Sequence, residues 1–172
     1  FLTIPLGAKE IAINQLKMPD ENSWKVKMLN KIHGAYQGSI FFDEIYGDIE
    51  LLIMSDAEYY SSFSIDVIKF MFKKLAIDTV LHIDSDFNSD FGTSNARNIS
   101  LCKVAGGHSY LSGSGAHGYI DERLFKVNKV ELIFQDFQHP KYEQGVNDFV
   151  AGLSIIDVLF NCGYDRTRNF LR

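Results

Sequence analysis

Apolar residues recur with the spacing of an amphipathic helix in three stretches of the first half of the chain. The first helix is predicted to begin at Asp20 or Ser23, the second to cover residues 40–53, and the third to begin at Ser64. Each helix has one apolar face and one polar face. Trp24, near the start of the first helix, is interpreted as a core residue rather than as part of a site.

Short runs rich in β-branched or aromatic residues predict strands between and around these helices. They cover residues 1–5, 10–16, 79–83, a short run that starts at His108, and residues 130–137. From residue 79 onward strands alternate with helices, which favours an α/β fold with a mostly parallel sheet flanked by helices. No internal repeat or linker interrupts residues 1–172, so a single domain is predicted.

The last predicted helix begins at Ser154, which has the residue type of an N-cap. Asp157 follows as in a capping box, and Gly163 is interpreted as the C-terminal stop. Asp157 and Asn161 form one polar stripe on an otherwise apolar helix, because residues at this spacing share a helix face. Two interpretations are open: the stripe bonds local backbone groups, or it faces the floor of a binding site.

Glycine and serine are concentrated directly after the strand that starts at His108. Gly113 and Gly115 allow backbone amides to approach an anionic group, and Ser112 and Ser114 add hydroxyl donors. These four residues are candidates for binding a phosphate or a carboxylate, and a tight structural turn is the alternative. The spacing also satisfies the Gly-x-Gly-x-x-Gly fingerprint of dinucleotide binding, but the strand is short and lies late in the chain. No cofactor is predicted.

The segment His139-Pro-x-Tyr142-x-Gln144 is the strongest remaining cluster of chemically active groups. A residue before proline is held extended, and polar side chains at alternating positions of an extended loop point the same way. Because histidine is the natural general base near neutral pH, His139 is predicted to be catalytic together with Asp157. Tyr142, Gln144 and Asn161 are predicted to bind the substrate. A surface loop with a hydrogen-bonded histidine is the alternative.

A pair of aspartates, Asp84-x-Asp86, follows the predicted strand over residues 79–83. This pattern is similar to the Asp-x-Asp of metal-dependent glycosyltransferases, in which two carboxylates hold a divalent ion at a nucleotide diphosphate. Aspartate also favours loops and helix starts for purely local reasons. The local interpretation is preferred, so no metal site is predicted.

Composition limits the classes of partner. The chain is 46% apolar and carries a net charge of −5, which gives no basic surface for nucleic acid. Cys102 and Cys162 lie in predicted helices without a Cys-x-x-Cys motif, and free buried thiols are expected. No apolar run is as long as a membrane span, and the first residues lack the pattern of a signal peptide. These features predict a cytoplasmic protein without nucleic-acid or membrane partners.

Three blocks of the last third of the chain occur in a fixed order: Tyr110-Leu-Ser-Gly-Ser-Gly-Ala through Tyr119-Ile-Asp121, Phe134-Gln-Asp-Phe-Gln-His139-Pro140-x-Tyr142-x-Gln144, and Leu153-Ser-Ile-Ile-Asp157-x-Leu-Phe-Asn161-x-Gly163. Together they resemble the WbqC-like protein family, and weaker likeness extends to the N-terminal residues. The resemblance implies a cytoplasmic bacterial protein associated with surface-polysaccharide (O-antigen) biosynthesis. The family's usual start, an apolar strand that runs into a His-Gln-Pro segment, is absent before Phe1. The chain is therefore expected to be an N-terminally incomplete form of the domain.

Three functional hypotheses follow. The first is a transferase that acts on an activated or amino-sugar intermediate and attaches an acyl or aminoacyl group. The second is a non-catalytic protein of the same pathway that binds a sugar or a nucleotide sugar, and the third is a metal-dependent glycosyltransferase. Loss of a leading strand would leave a sheet edge unpaired, which favours pairing with another chain as a homo-oligomer.

Overall fold

A computed structural model describes residues 2–7, 10–87, 89–146 and 148–171 of the chain. Its contacts group the chain into two units. The helical unit consists of the residues up to Thr79 together with those from His139 onward, and the β unit consists of Val80–Gln138.

The helical unit contains four of the helices. They are α1 (Ser23–Tyr36), α2 (Phe42–Ile53), α3 (Tyr60–Lys74) and α6 (Ile155–Asn169). Their apolar faces meet in one core, in which Trp24, Ile45 and Phe160 are buried, so the interpretation of Trp24 as a core residue is confirmed. The predicted amphipathic helices are therefore present, although α3 begins at Tyr60 rather than at Ser64.

The β unit contains α4 (Ser94–Val104), β1 (Ser109–Ser112), α5 (Glu122–Val127) and β2 (Glu131–Phe134). The two strands pair in parallel with Ser109 opposite Glu131 and Ser112 opposite Phe134. Because parallel strands need a crossover, α5 lies between them in sequence, and its Phe125 is buried with Ile99 and Val130. The α/β class and the parallel sheet are confirmed. Within the described residues the sheet has these two strands.

Three of the predicted strands are wrong. Residues 2–5 form no strand, and Phe1 lies outside the described residues; Ile13–Gln15 forms a 3-10 turn within the second predicted strand. Residues 79–83 are not assigned to a strand, and Val80 is 73% exposed. A β-branched sequence favours an extended backbone, but only a hydrogen-bonded neighbour makes it a strand, and the sequence does not specify that neighbour. The last strand is also shorter than residues 130–137, since β2 ends at Phe134.

Gly163 ends the first of two helical segments that together form α6, so the predicted stop is present, but a second segment that was not predicted follows it. The helix continues to Asn169 across a kink at Gly163, where φ is +67° and ψ is 177°. This left-handed φ favours glycine. The ring of Phe41 packs against Gly163, and the Phe41 amide donates to the Phe160 carbonyl at 3.2 Å. The kink thus allows the segment before α2 to approach the backbone of α6 closely.

We expect Gly163→Ala to destabilise the protein. A Cβ at this position would lie 2.7 Å from the ring of Phe41. A backbone with this combination of φ and ψ is adopted essentially only by glycine and costs another residue about 1–3 kcal/mol, and overpacking adds roughly 1–3 kcal/mol. The free energy of unfolding, measured by urea denaturation, should fall by roughly 2–6 kcal/mol.

The matched control is Gly34→Ala, because a Cβ there meets nothing within 4 Å inside helix α1. It should stabilise the protein by about 0.5–1 kcal/mol. Equal stability of the Gly163→Ala variant and the parent chain would contradict the role assigned to the kink.

Candidate functional site

Asp157 occupies the first turn of α6 and is 5% exposed. Ser154 accepts a hydrogen bond from the Ile156 amide through its Oγ at 3.4 Å, so the predicted N-cap is confirmed. The Asp157 carboxylate, however, bonds to side chains from outside its own helix. The local capping interpretation of Asp157 is therefore wrong.

Three neutral side chains donate to the Asp157 carboxylate. The Tyr36 hydroxyl, from the end of α1, reaches Oδ1 at 3.1 Å. The Tyr142 hydroxyl and the Gln144 amide nitrogen reach Oδ2 at 2.7 Å and 3.1 Å. A buried carboxylate loses its hydration, and hydrogen bonds of this kind offset that cost. We call these four residues the Asp157 cluster.

Gln144 also fixes the loop that carries Tyr142. Its amide oxygen accepts from the Val150 amide at 2.7 Å, and its amide nitrogen donates to the Val150 carbonyl at 3.0 Å. The Gln144 side-chain amide thus bonds to both backbone groups of Val150, as a backbone amide of a neighbouring strand would. The same nitrogen lies 3.2 Å from the Tyr142 hydroxyl. Tyr142 and Gln144 thus both contact Asp157, as expected for alternating side chains of an extended segment.

Aromatic contacts hold the two phenols in place. Tyr36 stacks on Phe160 with ring centroids 4.5 Å apart and an angle of 8° between the rings. Tyr142 meets Phe149 edge-on at 5.4 Å. Burial, and secondarily the Asp157 carboxylate, raises the pKa of Tyr36 to about 12, and the same two causes raise the pKa of Tyr142 to about 12. Both phenols therefore remain protonated donors at neutral pH.

Asn161 bonds a local backbone group, which was one of the two interpretations of the polar stripe. Its amide nitrogen donates to the Asp157 carbonyl at 2.8 Å, which is a contact within helix α6. The two members of the polar stripe therefore differ, because Asp157 bonds across the unit and Asn161 bonds its own helix. The predicted role of Asn161 in substrate binding is not tested by this contact.

His139 belongs to the helical unit and is exposed. It stands at the start of the loop that leads to Tyr142 and Gln144. The structure thus brings Tyr142, Gln144 and Asp157 into hydrogen-bonding contact and places His139 on the same segment. Its catalytic role stays a prediction.

The Gly-rich candidates lie in the β unit. Ser112 ends β1 and is 5% exposed, and Ser114–Gly118 forms a 3-10 turn that includes Gly115. A Cβ at Gly113 or Gly115 would meet nothing within 4 Å, and neither glycine has a positive φ. The turn therefore does not need glycine for its own geometry. Anion binding by Ser112, Gly113, Ser114 and Gly115 stays a prediction.

Asp84 and Asp86 lie in a 3-10 turn of the β unit. The Asp84 carboxylate forms an ion pair with Arg97. Across the described ranges, no group of three His, Cys, Asp or Glu side chains is arranged to hold a metal ion. Arg97 thus competes for the carboxylate that a metal-dependent mechanism would require.

Tyr36 is the residue that the sequence reasoning missed. It lies 121 residues before Asp157. One signal was available, because Tyr36 follows the buried Ile32 at the spacing of one helix face and so should point inward from α1. The sequence could not indicate that Tyr36 would bond to Asp157, since no local pattern connects α1 with α6.

The fold and the cluster define an α/β protein that builds a buried carboxylate site from two helices and a loop. The chain belongs to the WbqC-like protein family, whose family model matches residues 1–169. This family is associated with polysaccharide biosynthesis genes.

The chain is also similar to the uncharacterized protein Rv1507c of Mycobacterium tuberculosis (strain ATCC 25618 / H37Rv). The two are 33% identical over 90 residues, which cover 52% of this chain and 38% of that relative. No solved structure matches the chain. Among the helices of the described residues, none has the length and apolar character needed to cross a membrane.

Asp157→Asn should destabilise the fold. The substitution keeps the size of the side chain. It replaces one carboxylate oxygen, which accepts hydrogen bonds, by an NH₂ group, which cannot accept them from Tyr36, Tyr142 or Gln144. Loss of hydrogen bonds to a buried charge costs about 1–3 kcal/mol. Asp165→Asn is the control on the same helix, because the Asp165 side chain is 95% exposed. Its effect on the free energy of unfolding should stay within about 0.5 kcal/mol. Equal effects of the two variants would argue against the cluster.

The raised pKa values of Tyr36 and Tyr142 predict a loss of stability at high pH. Between the ordinary value of 10.0 and about 12, these phenols ionise in the unfolded chain but stay protonated in the folded chain. The free energy of unfolding should therefore be constant below pH 10 and fall as the pH rises to about 12. Urea denaturation between pH 9 and pH 12 measures this slope.

Two variants make this prediction specific. Tyr142→Phe removes one of the ionisations that produce this slope and should make the slope shallower. Asp157→Asn should reduce the slope less, because burial, the larger cause of the raised pKa, remains. An identical slope in Tyr142→Phe and in the parent chain would contradict the assignment.

Proposed function

We propose that this protein is a cytoplasmic transferase of surface-polysaccharide biosynthesis that acts on an activated or amino-sugar intermediate and attaches an acyl or aminoacyl group. The Asp157 cluster is the observation that carries the proposal. It holds two phenols and an amide against a carboxylate that is 5% exposed. Hydroxyl and amide groups fixed in this way are suited to orient a polar acceptor such as a sugar.

In the proposed reaction the acceptor amine or hydroxyl attacks the acyl carbonyl carbon. A bond from the acceptor atom to that carbon forms, and the bond from the carbon to the donor's leaving group breaks. His139 takes the proton that the acceptor loses and returns it to the leaving group. Tyr142 and Gln144 position the acceptor, and Asp157 acts by holding both of them.

The burial of Asp157 assigns it a positioning role in this scheme rather than that of the general base. Its carboxylate already accepts three hydrogen bonds from the chain itself. A base must reach the proton that it removes, and an exposed histidine on the same loop meets that condition more easily.

A non-catalytic sugar-binding protein is the second candidate. The mutual hydrogen bonds of Tyr142, Gln144 and Asp157 favour it, because a saturated cluster can bind without performing chemistry. A metal-dependent glycosyltransferase receives less support, since Arg97 pairs with Asp84.

A transfer assay separates these candidates. The 172-residue chain is incubated with nucleotide-linked amino sugars and with acyl-thioester or aminoacyl donors, and products are detected by mass. His139→Ala should lower turnover by about 10²–10⁴-fold while sugar binding is retained, as for the loss of a general base. His82→Ala, at an exposed histidine of the β unit, is the control and should keep full turnover.

Each outcome has a distinct meaning. Unchanged turnover in His139→Ala would remove His139 from the mechanism. Saturable sugar binding without any product would favour the binding protein. Turnover that requires manganese and is lost in Asp84→Asn would favour the glycosyltransferase.

A further inference from the structure

An apolar cavity of about 220 Å³ lies inside the helical unit. Its walls come from α1, α2 and α3, and the first turn of α6 covers it through Ser154, Ile155 and Ile156. Leu2 and Ile155 line the cavity and are 42% and 37% exposed, so the cavity reaches the surface on their side. Nothing in the proposed acceptor site uses this space.

The lining fixes the chemistry of a ligand. Ser154 provides the one hydroxyl among the lining side chains, and its oxygen already accepts from the Ile156 amide. No charged side chain lines the cavity. A polar or ionic group placed here would lose its hydration without compensation, so only a hydrocarbon group can enter favourably.

The volume indicates how large such a group can be. Because the cavity reaches the surface, a ligand can enter it from the solvent. A cavity of about 150 Å³ lined by leucine, isoleucine and phenylalanine binds benzene. By proportion, the present cavity, of about 220 Å³, holds on the order of nine non-hydrogen atoms. That is the size of a medium-length aliphatic chain.

The position of the cavity connects it with the Asp157 cluster. Ile155 and Ile156 line the cavity, and Asp157 is the next residue of the same helical turn. One turn of α6 therefore separates an apolar space from the group that holds Tyr142 and Gln144. An acyl group also has an apolar and a polar part, because a hydrocarbon chain forms one end and a reactive carbonyl the other. The chain would suit the cavity, and the carbonyl would suit the side of the Asp157 cluster.

We infer that the cavity binds the hydrocarbon chain of an acyl donor, so that the group transferred is a medium-chain acyl group rather than an aminoacyl group. This inference rests on the transferase function proposed above. It is tested by binding alone, so its failure can be told apart from a failure of the transferase proposal.

The chain contains its own reporter for this test. Trp24 is the single tryptophan of the sequence and is 5% exposed. Its ring meets that of Phe63 edge-on, with centroids 6.4 Å apart, and Phe63 lines the cavity. A ligand in the cavity should therefore change the fluorescence of Trp24.

The experiment titrates the 172-residue chain with 1-butanol, 1-hexanol, 1-octanol and octanoyl-pantetheine and follows Trp24 fluorescence. Each added methylene should tighten binding about fourfold until the cavity is full, as expected for burial of a CH₂ group. Octanoyl-pantetheine should bind at least as tightly as 1-hexanol, because most of its chain fits the same space.

Filling the cavity provides the matched variants. Val67→Phe places a larger ring in the lining, whereas Ile68→Phe adds a ring at the neighbouring, 40% exposed position of α3. The first should weaken 1-octanol binding at least tenfold, and the second should leave it unchanged. If Val67→Phe does not fold, Leu52→Phe in the lining and Leu51→Phe at a 75% exposed position form a second pair on α2.

Three results would overturn the inference. They are the absence of a saturable fluorescence change in the parent chain, equal 1-octanol binding in the filled and control variants, and binding of 1-octanol without binding of octanoyl-pantetheine. The last result would assign the cavity to a free apolar ligand instead of an acyl donor. None of these results depends on whether turnover is found.

Discussion

The buried carboxylate of Asp157 is the constraint on which the arrangement of the helical unit depends. A carboxylate that is 5% exposed must find donors inside the protein, because its desolvation would otherwise cost several kcal/mol. Its donors come from the end of α1 and from the loop before α6. The need to satisfy one charge therefore fixes the relative positions of two helices and a loop. The same bonds orient the phenols that we assign to the acceptor site.

The far end of α6 is fixed by similar chemistry. The Tyr164 hydroxyl donates to Asp48 of α2 at 2.7 Å, and Lys74 of α3 pairs with the same carboxylate at 2.6 Å. Burial, together with the nearby Asp48, raises the pKa of Tyr164. The kink at Gly163 lies between these two attachments. At this kink the ring of Phe41 lies so close to the backbone of α6 that a Cβ at Gly163 would be 2.7 Å from it.

The first turn of α6 divides the helical unit into a polar and an apolar side. Ile156 faces the cavity, while Asp157 faces Tyr36 and Tyr142. Consecutive helical residues point about 100° apart, so one turn can serve both environments. In the transferase that we propose, this turn would separate the hydrocarbon chain of the donor from the polar acceptor.

The sequence by itself determined the helices, the α/β class, the parallel pairing of β1 with β2 and the cap at Ser154, because periodicity and capping are local properties. The spacing of Tyr142, Gln144 and Asp157 also predicted that these residues belong to the site. Only the tertiary structure decided that residues 79–83 are not a strand, that a second helical segment follows Gly163 and that Tyr36 bonds to Asp157. Each of these depends on a partner distant in the chain, and a local pattern specifies which side chain is available but not which group it will meet.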